Sequence, residues 1–276
     1  MSTGLSFIPS PPETGFHLGA LSVHVYGLMY VAGITPAVII TRRRWRAAGG
    51  NPDLVGDVAI WAVPIGLIGA RIYFDVTTPA DIPHHWWGVF AIWSGGLGVW
   101  GGIAFGAAAG IWRVRRARAS AGQFANATAP ALLVAQAVGR IGNYFNQEVF
   151  GKPTTVPWGL EIAVQHRPAG YRAFATFQPT FLYEIIWDLA LAMFLVWLGH
   201  HRQIRSWSLF ALYVAGYSAF RIFEESIRID SAEHFLGLRL NFYVAAIMTL
   251  LGFAWFARCQ TRPAVRGNRS PAGLGA

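Results

Sequence analysis

The sequence predicts an all-α integral membrane protein of about seven transmembrane helices, and three observations lead there. Of 276 residues, 54% are hydrophobic and only 13% are charged. The apolar residues fall into runs long enough to cross a bilayer, and the arginines cluster between alternate runs. Soluble domains carry nearer ~25% charged residues, so one aqueous core of this size has no room for the apolar surface present. Lipid accepts it, provided every backbone polar group is paired within the chain, which a helix of about 20 residues achieves.

Taken in order, the runs are residues 21–40, 54–74, 88–112, 124–144, 180–199, 207–223 and 238–256. The first carries His24 near its start, and the second carries Arg71 near its end. Along the third, Gly98, Gly102, Gly106 and Gly110 recur every four residues and form a smooth ridge suited to close helix packing, with no catalytic role assigned. The fourth is the most polar, interrupted by Pro130 and ending in a polar third. The fifth carries Glu184 and Asp188 one turn apart near its start, and the sixth ends near Arg221. The seventh precedes a basic tail, residues 258–276, which the Pro and Gly content predicts to be disordered.

Arginine placement sets the orientation. Arg42, Arg43, Arg44 and Arg46 follow the first run, Arg113, Arg115, Arg116 and Arg118 the third, Arg202 and Arg205 the fifth, and Arg258, Arg262, Arg266 and Arg269 the last. The positive-inside rule puts these connections in the cytoplasm, the N-terminus outside and the C-terminus inside, as an odd span count requires. The segments 75–87, 145–178 and 222–237 then face outward, and 145–178 forms a small head region of the membrane domain, residues 1–257. The first twenty residues lack a basic stretch and contain Pro9, Pro11 and Pro12, so an uncleaved N-terminus is expected. The net charge of +9 comes from clusters rather than one basic stripe, which argues against nucleic acid as a partner. The single Cys259 excludes a disulfide framework and a thiolate metal site, and no metal or other cofactor is expected. His84 and His85 lie beside Trp86 and Trp87, an interfacial composition without metal-ligand spacing. His24 reads as structural.

Charged residues at the outward ends of the runs carry the chemistry. Arg71 and Arg239 stand where an arginine can also snorkel to the interface. Arg140 lies in Gly139-Arg140-Ile141-Gly142-Asn143-Tyr144-Phe145-Asn146-Gln147-Glu148-Val149-Phe150-Gly151, with Asn143 on its helical face. A guanidinium within the membrane costs about 2.5–3.5 kcal/mol on insertion scales, so a partner is expected, either Glu148 or a ligand phosphate. Arg221, Glu225 and Arg228 recur at i, i+4 and i+7, a charge ladder if the helix persists. Glu184 reads as a partner that orients an arginine. Ion pairing alone accounts for such spacing, but guanidinium forks from two segments also match the oxygens of a phosphate.

The segment 139–151, together with Gln178-Pro179-Thr180-Phe181-Leu182-Tyr183-Glu184, closely resembles the prolipoprotein diacylglyceryl transferase family. Tyr26-Gly27-Leu28-Met29, Gly69-Ala70-Arg71-Ile72-Tyr73, Trp93 with Gly95-Gly96-Leu97, and Arg221 with Glu225 and Arg228 extend the resemblance through the last run. It implies a multi-pass enzyme of the bacterial plasma membrane whose cavity opens to the outer leaflet. The implied reaction moves a diacylglyceryl group from phosphatidylglycerol to the lipobox cysteine thiol next to a prolipoprotein signal peptide. A thioether forms, glycerol phosphate is released and no soluble cofactor is needed. Carried over by position, the essential residues are Tyr26, Arg140, Asn143, Glu148, Gly151, Arg221 and Glu225, with Arg71, Glu184 and Arg228 in support. Arg140 and Arg221 are the expected phosphate ligands, and Glu148, Glu225 and Tyr26 all remain open as acceptors of the thiol proton. Two positions depart from the family: Trp100 and Gln178 stand where many relatives have histidine, so no histidine base is assigned. A lipid or anion transporter using the same arginines, or an inactive lipid-binding homologue, is the rival. An intramembrane protease is set aside because no Gly-x-Ser-x-Gly elbow or aspartate dyad is present.

Overall fold

The computed structural model describes residues 7–11, 14–18, 21–85, 87–92, 96–230, 232 and 234–261. Pro12, Trp86, Trp93, Gly95 and the tail beyond Thr261 lie outside the described residues. Seven long helices dominate: α1 (Val25–Ala47), α2 (Asp53–Thr77), α3 (Val99–Arg116), α4 (Ala121–Asn146), α5 (Thr180–His201), α6 (Ser208–Ile227) and α7 (Leu240–Thr261). Of these, α1, α2, α5 and α7 are long and apolar enough to cross a bilayer. The polarity of the molecule agrees. Arg71, Asn143, Glu184, Asp188, Glu224, Glu225 and Arg239 are buried, whereas Ile60, Met193, Leu250 and Leu251 are exposed. That arrangement inverts the usual soluble pattern, and the chain is an all-α membrane protein.

Three close helix pairs build the bundle. The glycine ridge of α3 faces α2: a side chain at Gly101 would strike the Gly69 carbonyl oxygen and Tyr73, and Gly106 lies against the Ala62 carbonyl and Gly66. In the same way Gly33 seats α1 on Ala135 of α4, and Gly252 seats α7 on the Ala215 backbone of α6. Ala129 and Leu133 of α4, Ala192 and Leu195 of α5 and Leu209 of α6 fill the apolar core between those helices. Helix α4 is therefore central. The Ser120 side chain caps its start by accepting from the Gln123 N–H at 3.4 Å, and it runs through Pro130 to residue 146.

Of the boundaries that differ from the sequence reading, three bear on the outward-end residues. Residues 21–24 belong not to the first helix but to a hairpin of β1 (Gly15–Leu18) and β2 (Leu21–His24). The third helix starts at Val99 instead of residue 88, and Arg71 supplies the reason. Its guanidinium donates to the carbonyl oxygens of Gly88 (2.6 Å), Val89 (2.9 Å), Ala91 (3.4 Å) and Gly96 (3.2 Å), which a continuous helix would have used internally. Arg71 is 5% exposed and also paired with Asp75 at 3.0 Å, so it does not snorkel. The sixth helix persists to Ile227, placing Arg221 and Glu225 on an unbroken face.

Beyond α4, residues 147–178 fold around Phe150, Leu160, Ile162 and Phe177, with the short pair β3 (Leu160–Glu161) and β4 (Thr176–Phe177). The N-terminal segment pairs with this unit. Ile8 bridges to Leu160, the Ser10 hydroxyl donates to the Glu161 carbonyl, and the Tyr144 hydroxyl and Gln147 amide donate to the carbonyls of Pro9 (2.7 Å) and Pro11 (3.1 Å). Between α6 and α7, β5 (His234–Phe235) and β6 (Leu238–Arg239) form a hairpin. Its two turn residues, Leu236 and Gly237, both have positive φ, as a tight primed turn requires.

Candidate active site

The end of α4 is knotted. Gln147 closes the helix in the left-handed conformation at φ 52°, and Val149 repeats it at φ 57°. A β-branched residue holds that conformation only where its surroundings fix it. They do here. The Thr180 hydroxyl donates to the Val149 carbonyl, and the Gln147 side-chain oxygen accepts from the Ala163 N–H at 2.8 Å. Gly151 N–H donates to the Gln178 carbonyl at 2.9 Å, and Lys152 N–H to the Ile227 carbonyl at 2.8 Å. A Cβ on Gly151 would stand 2.8 Å from Gln178 Cβ and 3.2 Å from the Ile227 oxygen, so glycine is what lets α4, α5 and α6 meet. Gly151 is thus a structural joint.

This knot aims the polar side chains of α4. Asn143 Nδ2 donates to Glu148 Oε1 at 2.8 Å, and Asn146 Nδ2 to the same oxygen at 3.3 Å. Arg140 donates to Asn143 Oδ1 at 3.2 Å and to the Tyr217 hydroxyl at 3.2 Å. Its carboxylate partner is Glu184 of α5, with Nη2 to Oε1 at 2.6 Å. Of the two partners expected for Arg140, Glu148 or a ligand phosphate, Glu148 is exposed and bound by the two asparagines, while α5 delivers Glu184, the carboxylate expected to orient an arginine. Tyr26, in the first turn of α1, packs its ring on Gly142 and accepts from the Tyr30 hydroxyl at 3.1 Å.

Helix α6 supplies the second guanidinium. Arg221 lies 4.0 Å from Glu184 Oε2, 2.8 Å from Glu224 Oε2 and 2.8 Å from Glu225 Oε1. Glu225 continues the chain of charge, with Oε1 3.5 Å from Arg228 Nη1 and Oε2 2.6 Å from Arg239 Nε. Arg228 forks onto both oxygens of Asp230 at 2.7 Å, and Arg239 reaches Asp230 Oδ2 at 3.0 Å. Arg239 is 7% exposed, so it too is a network member and not a snorkelling anchor. The structure therefore brings Arg140, Asn143, Glu148, Glu184, Arg221, Glu225 and Arg228 into one polar region, with Tyr26 beside it. Arg71 serves the segment before α3. Neither departure from the family pattern reaches the network: Trp100 is exposed on α3, and Gln178 is bonded to Thr154 at 3.1 Å and Tyr183 at 2.5 Å.

The sequence reading missed three members. Tyr217 donates to Glu184 at 3.0 Å, Glu224 binds Arg221, and Asp230 joins Arg228 to Arg239. Tyr217 lies four residues before Arg221 and Glu224 three after it, a spacing that marks both as neighbours on that helix face. Burial acts to raise the Asp230 carboxyl, but hydrogen bonds and charge from Arg228 and Arg239 outweigh it and hold it below the usual carboxylate range. A depressed carboxylate stabilises the fold above its unfolded-state value, about 3.9, and that contribution disappears as pH falls through the folded-state value. Asp230→Asn is thus expected to lower thermal stability at neutral pH, with the difference from the parent shrinking once the pH drops below about 3.9. Melting curves of both proteins across that range check it.

The fold and this network define an all-α membrane protein with arginines from separate helices gathered among buried carboxylates. The chain belongs to the prolipoprotein diacylglyceryl transferase family, whose model matches residues 13–258. It is 44% identical over 249 residues to phosphatidylglycerol–prolipoprotein diacylglyceryl transferase 2 of Streptomyces coelicolor, covering 89% of this chain and 78% of that protein. The Cutibacterium acnes phosphatidylglycerol–prolipoprotein diacylglyceryl transferase is 45% identical over 87% of this chain and 82% of its own length. That of Frankia alni is 47% identical over 87% and 64%, respectively.

Proposed function

We infer that this chain transfers the diacylglyceryl group of phosphatidylglycerol to the lipobox cysteine of a prolipoprotein, with Arg140 and Arg221 as the clamp for the lipid phosphate. The observation that carries the clamp is convergence: Arg140 of α4 and Arg221 of α6 both approach Glu184 of α5, at 2.6 and 4.0 Å. Each guanidinium side chain keeps about a fifth of its surface open, 20% and 21%, which leaves donors for a ligand oxygen. In this reading all seven helices span the bacterial plasma membrane, the arginine-rich ends face the cytoplasm, and residues 145–178 form the head over the outer leaflet.

The substrate thiolate attacks the glycerol carbon that bears the phosphate, and the carbon–oxygen bond breaks toward the phosphate. Charge on the leaving oxygen grows in the transition state, where fixed donors stabilise it most. Asn143 and Glu184 orient Arg140, and Glu224 and Glu225 orient Arg221. A cysteine thiol with a reference pKa of about 8.5 is slightly ionised at neutral pH, and nearby guanidinium charge increases that fraction. Glu225, with both oxygens at ion-pair distance from arginines, is poorly placed to take the proton. The deciding experiment incubates purified protein with phosphatidylglycerol and a lipobox cysteine peptide. A peptide whose mass rises by one diacylglyceryl group through a thioether supports the assignment. Lipid binding without product points to a transporter or inactive homologue.

A further inference from the structure

The ion-paired part of the described cluster is balanced. Glu184, Glu224, Glu225 and Asp230 pair with Arg140, Arg221, Arg228 and Arg239, four carboxylates against four guanidiniums before any phosphate arrives, and Asp188, whose two oxygens are buried without a hydrogen-bond partner, lies beside them. Glu184, Asp188, Glu224 and Glu225 are at most 3% exposed. A bound phosphodiester adds one more negative charge, and uncompensated charge in a buried site costs several kcal/mol. A proton that joins the cluster before transfer is complete offsets that charge.

Among the three carboxylates at Arg221, the contacts single out where it goes. When a phosphate occupies the Arg221 fork, Glu184 keeps Arg140 and Tyr217, and Glu225 keeps Arg228 and Arg239. Glu224 keeps nothing of that kind. Its single hydrogen-bond partner is Arg221, and its other oxygen, Oε1, is buried without a partner. The groups around it are Arg140 from α4, Glu184 and Asp188 from α5, and Arg221 and Arg228 from α6 and its C-terminal end; Tyr217, through Glu184, Glu225, through Arg221, and Arg239 of β6, through Glu225, lie one contact further. Of these, Arg221 is the one whose partner the phosphate replaces.

We propose that Glu224 is the displaceable counter-charge of Arg221: it gives up the guanidinium to the lipid phosphate and takes the proton that the acceptor thiol releases. The thiol loses H⁺ to the Glu224 carboxylate, and sulfur forms its bond to the glycerol carbon as the carbon–oxygen bond breaks. The electron pair stays on the phosphate oxygen, and the proton finally leaves Glu224 with the glycerol phosphate as its monoanion. Phosphate capture and thiol ionisation are thereby coupled through one side chain, with no histidine required.

This rests on the phosphate-clamp reading, so the test separates the two. Transfer kinetics are compared for the parent protein, Glu224→Gln, Glu224→Asp and Arg221→Ala across pH. Glu224→Gln is expected to keep or lower the KM for phosphatidylglycerol, because Arg221 loses a competitor, while kcat falls about a hundredfold. The acidic limb of its kcat profile disappears, and Glu224→Asp restores the limb at reduced rate. As a readout on the unaltered protein, adding phosphatidylglycerol without peptide to a weakly buffered indicator solution is expected to leave its pH unchanged, because the thiol supplies the proton. Unchanged kcat and pH profile in Glu224→Gln, alongside an inactive Arg221→Ala, overturn the Glu224 role alone. Transfer surviving in Arg221→Ala overturns the clamp beneath it. If Glu224→Gln does not fold, proton uptake by the parent protein on lipid binding overturns the proposal by itself, because Glu224 is then protonated before the thiol arrives.

Discussion

Arg140→Ala is expected to abolish measurable transfer, a loss of at least about a hundredfold, because under the proposed clamp it removes a fixed cationic donor from the place where the leaving phosphate gains charge. The effect has a second source. Glu184 is fully buried, and without Arg140 it retains the Tyr217 hydroxyl at 3.0 Å and a guanidinium 4.0 Å away. Leaving one member of a buried pair uncompensated destabilises by about 3–5 kcal/mol, so a reduced melting temperature accompanies the lost activity. Arg140→Lys separates the two effects. An ammonium restores the charge beside Glu184, but it is a compact point charge without the planar fork. Stability should largely return while transfer stays low. Rates on a lipobox peptide, read beside melting curves in the same detergent, decide it; full activity in Arg140→Ala removes the phosphate clamp from consideration.

How well the sequence foretold the fold depended on whether neighbours in sequence were neighbours in space. Apolar runs report lipid contact directly, so α2 and α5 were placed within a few residues of their observed ends. The start of α3 was misplaced because the segment before it is organised by Arg71, which is distant in sequence and silent in any local pattern. The same limit explains the partner of Arg140. Glu148 is eight residues away and looked available, whereas Glu184 arrives through the packing of α5 on α4. Spacing on one helix was more informative: Arg221, Glu225 and Arg228 meet as the ladder suggested. Glu224 escaped notice because it stands one position off that ladder, yet it swings back to the same guanidinium. Residues 7–11 offered no periodicity at all, and their attachment to β3 rests on backbone pairing that any composition can make.

A stability effect as large as that of Arg140→Ala is expected at Glu225. This carboxylate, 3% exposed, connects Arg221 and Arg228 of α6 to Arg239 at the start of α7. Truncation to alanine leaves three guanidiniums without their shared anion, and the expected loss is about 3–5 kcal/mol, with transfer falling in parallel as Arg221 loses its anchor. Glutamine keeps the shape and one acceptor oxygen, so Glu225→Gln should lie between alanine and the parent in stability. The double change Glu225→Leu with Arg239→Leu tests the origin of the cost. Replacing both members of a buried pair by apolar groups is often close to neutral, so the double variant should be more stable than Glu225→Ala while remaining inactive. If Glu225→Ala melts with the parent and still transfers lipid, the charge cluster holds neither the helices nor the clamp.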